Sequence, residues 1–460
     1  LITLFIYGSW ALLLARAFGT ANLFAWSIGI AYIVYDTLQL IFVAVRTLPL
    51  GRPKAPSAEG SVSATVLVAA FNEAGVLIKT IDALMAQEPP PEQIILADDG
   101  SDDDTALVLT RHYGLDQPAL GALSAAGPRA KPLQWLRLPR GGKANALNAA
   151  LLLSSGDIVL TVDADTLLAP GALTAMRHAF AEDRHLCAAG GLLAPICDRS
   201  LSGQLFQYFQ TYEYRRNFIA RFAWARSDCL LLISGAFAAY RRSAILAVGG
   251  FDPASLVEDY ELTHRLYRHA ADQGEICHVR IVAAAQARTD APARLMSFLR
   301  QRRRWFAGFL QTQYWNRDMT GNGRFGAVGR LMLPVKLVDS FQPIYGLSAF
   351  FLLLYFLIGG EAKLAGGALL IMIGKIALDL AFHLWSLVLY RRCSGEREPV
   401  RWAKAALAVL VEPFSFQLLR HSAACWGWFA LLSGTQSWAS QQRRGVLGLN
   451  SPAEPPQPAA

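Results

Sequence analysis

Ile158-Val159-Leu160-Thr161-Val162-Asp163-Ala164-Asp165 is the stretch on which the fold turns: an apolar run ending in two carboxylates. A short apolar run bounded by polar residues reads as a buried strand. Alternation along the extended chain puts Asp163 and Asp165 on the same side of the backbone. Side by side they repel one another unless a cation sits between them. An isolated Asp-x-Asp is ordinarily a solvated loop. At the end of a buried strand it becomes a candidate site, because open α/β sheets bind ligands at the carboxyl ends of their strands. Hard divalent ions, Mg²⁺ or Mn²⁺, suit such a pair, often with substrate phosphates completing the shell.

Outward from this strand the same pattern repeats. Val62 to Ala70 reads as a strand, followed by Phe71-Asn72-Glu73-Ala74-Gly75 and a helix from Val76 to Gln87. Ile94 to Ala97 reads as another strand, closed by Asp98-Asp99-Gly100-Ser101, and Lys143 to Ser155 as a helix capped by Gly156. Strands alternating with helices predict a mostly parallel sheet covered on both faces. Asp98 and Asp99 suit hydrogen bonds from a nucleobase or ribose, although Asp-Gly-Ser is also turn chemistry. Lys143, after Gly141-Gly142, is either a diphosphate contact or a solvated helix start. It does not complete a Walker loop, because position 137 is Arg and position 144 is Ala.

Two later segments join the series. Glu258-Asp259 opens a helix read over Tyr260 to His269, a place that suits acids as caps. It equally suits Asp259 as a general base toward an attacking hydroxyl. His264 and His269 read as structural residues at surface-like positions. Gln301-Arg302-Arg303-Arg304-Trp305 combines guanidiniums able to bind diphosphate bidentately with a flat apolar ring. A juxtamembrane basic-aromatic anchor would use the same residues. A sugar-nucleotide diphosphate would complete the metal shell at Asp163 and Asp165, and the metal would stabilise the departing diphosphate.

The 460 residues are 53% hydrophobic and 17% charged, with a mean hydropathy of +0.29, above the usual soluble range. The excess lies at the two ends. Residues 1–46 hold Leu1 to Ala15, for which a signal peptide is the rival reading, and Leu23 to Val45, long enough to span a bilayer. A linker over 47–60 leads to a cytoplasmic domain over 61–325. An interfacial helix is expected over 326–343, membrane helices over 344–434 and a tail over 435–460 with a disordered end. Basic residues such as Arg46, Arg52, Lys54, Arg324, Arg391 and Arg392 orient the central domain to the cytoplasm of a multi-pass inner (plasma) membrane protein. The net charge of +8 then reflects anchoring near anionic lipid, and nucleic acid is excluded as a partner. The six cysteines show no metal-binding spacing and read as reduced, buried thiols.

In order and spacing these motifs resemble the processive family 2 glycosyltransferases: cellulose, hyaluronan, chitin and poly-N-acetylglucosamine synthases. The membrane layout is most similar to the poly-N-acetylglucosamine type. The resemblance rests on Asp98-Asp99-Gly100-Ser101, Asp163-Ala164-Asp165, Val257-Glu258-Asp259, Gln301-Arg302-Arg303-Arg304-Trp305, Phe71-Asn72-Glu73 and Gly142 to Asn148. It departs at Val257, where Thr is usual, and an appended cyclic-dinucleotide-binding domain is not expected. It implies an α/β GT-A domain set between membrane helices, a UDP-sugar donor, inversion at the anomeric carbon and a polysaccharide or lipid-linked acceptor. Accessory export subunits are further implied partners. Asp98 or Asp99 would bind the uridine and Asp165 the metal. Asp259 would be the base, with Gln301, Arg304 and Trp305 holding donor and acceptor. Lys375, Asp379 and His383, four residues apart, share one helix face and suit either a polymer or lipid contact or local pairing.

Overall fold

The computed structural model describes residues 27–48, 62–359, 362–395, 401–434 and isolated positions that include Val446. The expected Leu1 to Ala15 helix, most of the linker and the tail around Val446 lie outside the described residues. Helix α1 (Ser27–Thr47) precedes the central domain. The domain runs β1 (Ala64–Ala70), α2 (Ala74–Met85), β2 (Gln93–Asp99), α3 (Thr105–Arg111), β3 (Leu133–Leu138), α4 (Lys143–Leu152), β4 (Ile158–Val162) and β5 (Thr166–Leu168). It continues with α5 (Ala172–Glu182), β6 (Leu186–Ile196), α6 (Leu201–Ala225), β7 (Phe237–Arg241), α7 (Arg242–Ala247), α8 (Glu258–Gln273), β8 (His278–Asp290) and α9 (Leu295–Trp315). Helices α10 (Leu333–Asp339), α11 (Gln342–Ile358), α12 (Ala362–Ser394), α13 (Trp402–Val411) and α14 (Phe416–Leu432) follow.

The strands form one eight-stranded sheet in the order β3-β2-β1-β4-β7-β6-β8-β5. Alternation splits their side chains between two apolar layers. Val66, Val68, Ile94, Leu96 and Leu160 face one layer with Leu77 and Ile81 of α2 and Met176 of α5. Leu67, Ile95 and Val159 face the other, with Leu147 of α4 and Ile219 of α6. Each such side chain taken fully from water contributes about 1.5–3 kcal/mol.

The expected parallel order holds for β3, β2, β1 and β4. The other half corrects it: β7 runs antiparallel to β4 and β6, β8 is parallel to β6, and β5 is antiparallel to β8. Gly156 does not cap α4, which ends at Leu152. A Cβ on Gly156 would lie 2.6 Å from the Thr65 nitrogen, so its role is to let the chain pass close to β1 as it enters β4. His264 corrects a surface assignment. It is fully buried, its Nδ1 2.8 Å from the Tyr260 carbonyl, and burial pushes it down to about 4.

Two described helices are long and apolar enough to cross a membrane, Val328–Tyr355 and Met372–Ser394. A third span is completed if Trp402–Phe414 and Phe416–Leu432, bent by 43°, count as one. The break falls at Ser415, directly after the turn Glu412-Pro413-Phe414, in which proline removes a backbone donor. The first of these spans runs through segment 326–343, so the helix expected to lie at the interface is continuous with the one after it. Helix α1 packs against the first of these helices through Asp339, which accepts from Tyr35 Oη at 2.7 Å and Gln39 Nε2 at 2.9 Å.

Candidate active site

At the end of β4 the chain turns at Ala164, whose carbonyl accepts from Thr80 Oγ1 at 2.7 Å. Asp163 Oδ1 lies 2.8 Å from Lys143 Nζ, and the same ammonium lies 2.9 Å from Glu258 Oε1. Asp165 is buried, with Thr289 Oγ1 at 3.5 Å from Oδ1. Gly142 delivers Lys143 at φ +92°, a conformation that only glycine adopts without strain. Burial alone would push the Lys143 ammonium down. The Asp163 and Glu258 charges outweigh it and hold it well above the usual lysine range. Lys143 therefore pairs with the carboxylates while its side chain stays partly exposed.

Glu258 and Asp259 open α8 with opposite electrostatic fates. Asp259 Oδ2 accepts from the Gly235 nitrogen at 2.6 Å and Oδ1 from the Tyr260 nitrogen at 2.8 Å. Burial, and then the neighbouring Glu258 charge, nonetheless raise its pKa above the usual aspartate value. Burial works against the Glu258 charge as well, but Lys143 and Arg304 more than offset it and leave that carboxyl lowered. Adjacent carboxyls driven apart in this way mark the division of labour seen at acid–base sites. Val257, in place of the expected Thr, packs against α9: a Cβ on Gly308 would lie 2.6 Å from Val257 Cγ2.

Helix α9 presents the rest of the cluster. Arg304 donates to the Leu256 carbonyl at 3.1 Å, and Gln301 is nearly buried, its Oε1 without a hydrogen-bond partner among the described residues. Arg302 holds α9 to α6 through an ion pair with Glu213 at 2.7 Å, and its guanidinium lies 4.2 Å above the Trp305 ring. Arg303, grouped with the site in the sequence, has its guanidinium 4.6 Å over Trp426 of α14. Beside it α14 presses closely on α9. A Cβ on Gly427 would sit 2.9 Å from the Arg303 oxygen, 3.1 Å from the Ala307 nitrogen and 3.2 Å from Phe306 Cβ. Trp428 Nε1 donates to the Ser340 carbonyl at 2.9 Å, so one tripeptide touches both α9 and the turn between α10 and α11.

Asp98 and Asp99 turn inward. Asp98 accepts from the Ser101 nitrogen at 2.9 Å and Trp135 Nε1 at 3.3 Å. Asp99 accepts from the Gly141 nitrogen at 2.7 Å, from the Gly142 nitrogen at 2.9 Å and from the Arg140 guanidinium. Asp99 thus shapes the loop that carries Lys143, while Asp98 ties its own turn to β3. Arg140 also lies 3.4 Å above the Phe71 ring. Asn72, at φ +57°, exchanges hydrogen bonds with Asp102, and the Glu73 carbonyl accepts from Val76 and Leu77 at the start of α2. Sequence reasoning missed Arg140, Glu213 and Gly427, and it grouped Arg302 with the diphosphate-binding guanidiniums where the structure pairs it with Glu213. No local pattern marks them, because each acts on residues distant in the chain or through backbone contact.

Among the described residues no group of three or more His, Cys, Asp or Glu could hold a metal by itself. The donor set at Asp163 and Asp165 still fits a hard divalent ion, which commonly takes one or two carboxylates and completes its shell with phosphate and water.

Residues 65–249 match the model of glycosyl transferase family 2, and residues 158–390, half of the chain, that of glycosyl transferase family group 2. An N-acetylglucosaminyltransferase of Mesorhizobium japonicum is 30% identical over 284 residues, 59% of this chain and 62% of that protein. A hyaluronan synthase of Streptococcus pyogenes is 29% identical over 180 residues, 37% of this chain and 40% of that one. The chain thus spans less than two thirds of the length of these relatives. A mannosyltransferase from Pyrobaculum calidifontis, solved with GDP-Man and Mn²⁺, superposes with a TM-score of 0.55 at 19% identity over 89% of this chain and 99% of that one. That likeness shows a shared GT-A-like fold. With half of the chain matched by a family model and the strand-end acids gathered at one edge of the sheet, the protein belongs to the family 2 glycosyltransferases.

Proposed function

We propose that this membrane protein is an inverting glycosyltransferase that moves a sugar, N-acetylglucosamine or glucose, from a UDP-sugar to a growing polysaccharide. The observation that carries the reading is Asp259: partly buried, held by two backbone donors, and raised in pKa beside a lowered Glu258. Such a carboxylate is suited to take the proton as an acceptor hydroxyl attacks the anomeric carbon and the bond to the diphosphate oxygen breaks. Glu258 and Lys143 fix the local charge around it. Arg304, Gln301 and Trp305 hold donor and acceptor, with Arg303 supporting them from the α14 side. Asn72, Glu73, Asp98 and Asp99 form the nucleotide end, the last acting through the Arg140 to Gly142 loop. Asp163 and Asp165 would hold Mg²⁺ or Mn²⁺, which supplies Lewis-acid stabilisation of the leaving diphosphate.

Export of the product is part of the proposal, with the catalytic domain on the cytoplasmic face of a multi-pass plasma-membrane protein. Its support is a line of ionisable residues among the helices. Lys375 lies 2.6 Å from Asp36 and pairs with Asp379. Arg216 pairs with Glu412 at 3.1 Å, and Arg420 reaches Glu412 at 2.5 Å and Glu213 at 3.6 Å. Ionisable groups at such depth face a protein interior or a wet path. Membranes carrying the full chain, Mn²⁺ and a panel of radiolabelled UDP-sugars test the reading. A long polymer supports it, a single lipid-linked sugar replaces chain extension by single transfer, and no UDP release from any donor overturns it.

A further inference from the structure

A cavity of about 310 Å³ lies away from the acidic cluster, where the sheet meets the end of α12. None of Lys143, Asp163, Glu258 or Asp259 lines it. Its walls are Leu192 and Pro195 of β6, Tyr214 and Arg215 of α6, Arg288 of β8 and Tyr390 of α12. Gln286 Nε2 donates to the Ser394 carbonyl at 2.5 Å, joining β8 to the last turn of α12 at the cavity edge. We propose that this cavity binds the phosphate headgroup of an anionic glycerophospholipid, whose acyl chains remain in the bilayer beside α12.

Three observations carry the assignment. The first is depth: Met372–Ser394 is a candidate span, and the cavity is lined by Tyr390 and Ser394 at the end of that span and by the catalytic sheet. Whichever way the chain is oriented, this is the level at which lipid headgroups lie. The second is charge. Arg215 and Arg288 line the cavity and no Asp or Glu does so among the described residues. Arg391 and Arg392 sit in the last turn of α12, and Arg288 is exposed and makes no ion pair among the described residues. The third is the wall chemistry: Leu192, Pro195 and Ala287 with the Tyr390 ring, over which Arg215 stacks at 5.1 Å. Guanidiniums at the rim of an apolar hollow favour phosphate, which they bind through paired hydrogen bonds. Basic pockets beside membrane helices bind anionic headgroups by the same logic. A water-soluble phosphate would leave the apolar walls unused.

The test uses the full chain in nanodiscs of phosphatidylcholine, with and without phosphatidylglycerol, and reads bound lipid by native mass spectrometry after release into detergent. Wild-type protein is expected to retain phosphatidylglycerol over phosphatidylcholine. Arg288→Glu should lose that preference by about tenfold, the effect of one charge-assisted contact. Ala194→Leu, which keeps both arginines and narrows the cavity, should lower retention while leaving UDP-sugar turnover in detergent unchanged. Equal phosphatidylglycerol retention by wild type and both variants overturns the proposal. So does displacement of the lipid by millimolar inorganic phosphate or by UDP, which would mark the cavity as a site for soluble phosphate. Loss of UDP-sugar turnover in every protein with lipid retention intact would count against the proposed enzyme activity and leave the lipid site standing.

Discussion

Gly427→Leu tests whether α14 sets the position of the Gln301 to Trp305 segment. The first added carbon falls 2.9 Å from the Arg303 oxygen, 3.1 Å from the Ala307 nitrogen and 3.2 Å from Phe306 Cβ. Non-bonded heavy atoms rest at about 3.5–4.0 Å, so Cβ alone demands a separation of about 0.5 Å, and the branched end of leucine about 1 Å or more. Overpacking of this kind costs about 1–3 kcal/mol. A displacement near 1 Å at the reacting groups lowers the rate about 100-fold. Purified protein would be assayed for UDP release at saturating donor, with thermal unfolding and UDP binding measured alongside. The expected result is a folded variant with near-normal UDP affinity and turnover down by one to two orders of magnitude. Gly427→Ala should fall between the two. A folded Gly427→Leu protein with wild-type turnover would refute the reasoning, because α14 would then have yielded without moving α9.

Asp259→Asn should abolish sugar transfer while isothermal calorimetry still detects UDP binding; residual transfer above one per cent of wild type, roughly what loss of a general base leaves, would remove Asp259 from the base role. Because Asp259 must be ionised to act and its pKa is raised, turnover should fall as pH drops through that raised value. Lys143→Met removes a cation that favours the ionised form, so the acid limb of the pH–rate profile should move to higher pH. An unmoved limb would show Lys143 to be electrostatically idle. The same variant leaves Arg304 as the cation that still holds the Glu258 charge and should lose about 2 kcal/mol of stability, below the full cost of a broken buried pair because Lys143 is partly exposed. The lowered Glu258 carboxyl contributes stability above its unfolded pKa that disappears as pH falls through the folded value, so the loss in the variant should shrink at acid pH in thermal melts. Chelation by EDTA should stop UDP-sugar turnover and Mn²⁺ should restore it, with Asp165→Asn requiring more Mn²⁺; turnover indifferent to chelator would exclude the metal.

The half of the sheet built from β1, β2 and β4 was legible because each strand is a short aliphatic run closed by acids or glycine, and β4 matches the predicted Ile158 to Val162. The other half was hidden by composition. Strand β6 contains Gly190, Gly191 and Pro195, and β8 is rich in alanine with Arg280 and Arg288, so neither shows strand periodicity. The candidate acids were legible as types but not as orientations. Nothing near Asp98 and Asp99 announces that Trp135 and Arg140 would turn them inward. Glu213 and Arg302 are separated by 89 positions, and only tertiary packing makes them a pair.

The hydrogen bond from Tyr35 to Asp339 joins residues 304 positions apart. The entire catalytic sheet is therefore an excursion from a helical assembly that closes on itself. The entropy of such closure grows only logarithmically, by about 0.6 kcal/mol for each doubling of the excursion. The helices thus impose little penalty on the size of what hangs between α1 and α10. Surface loops of the central domain can lengthen or shorten with small effect on helix association, provided that Tyr35, Gln39 and Asp339 still meet. Modularity of this kind places the freedom to diversify within the excursion and the constraint at its neck.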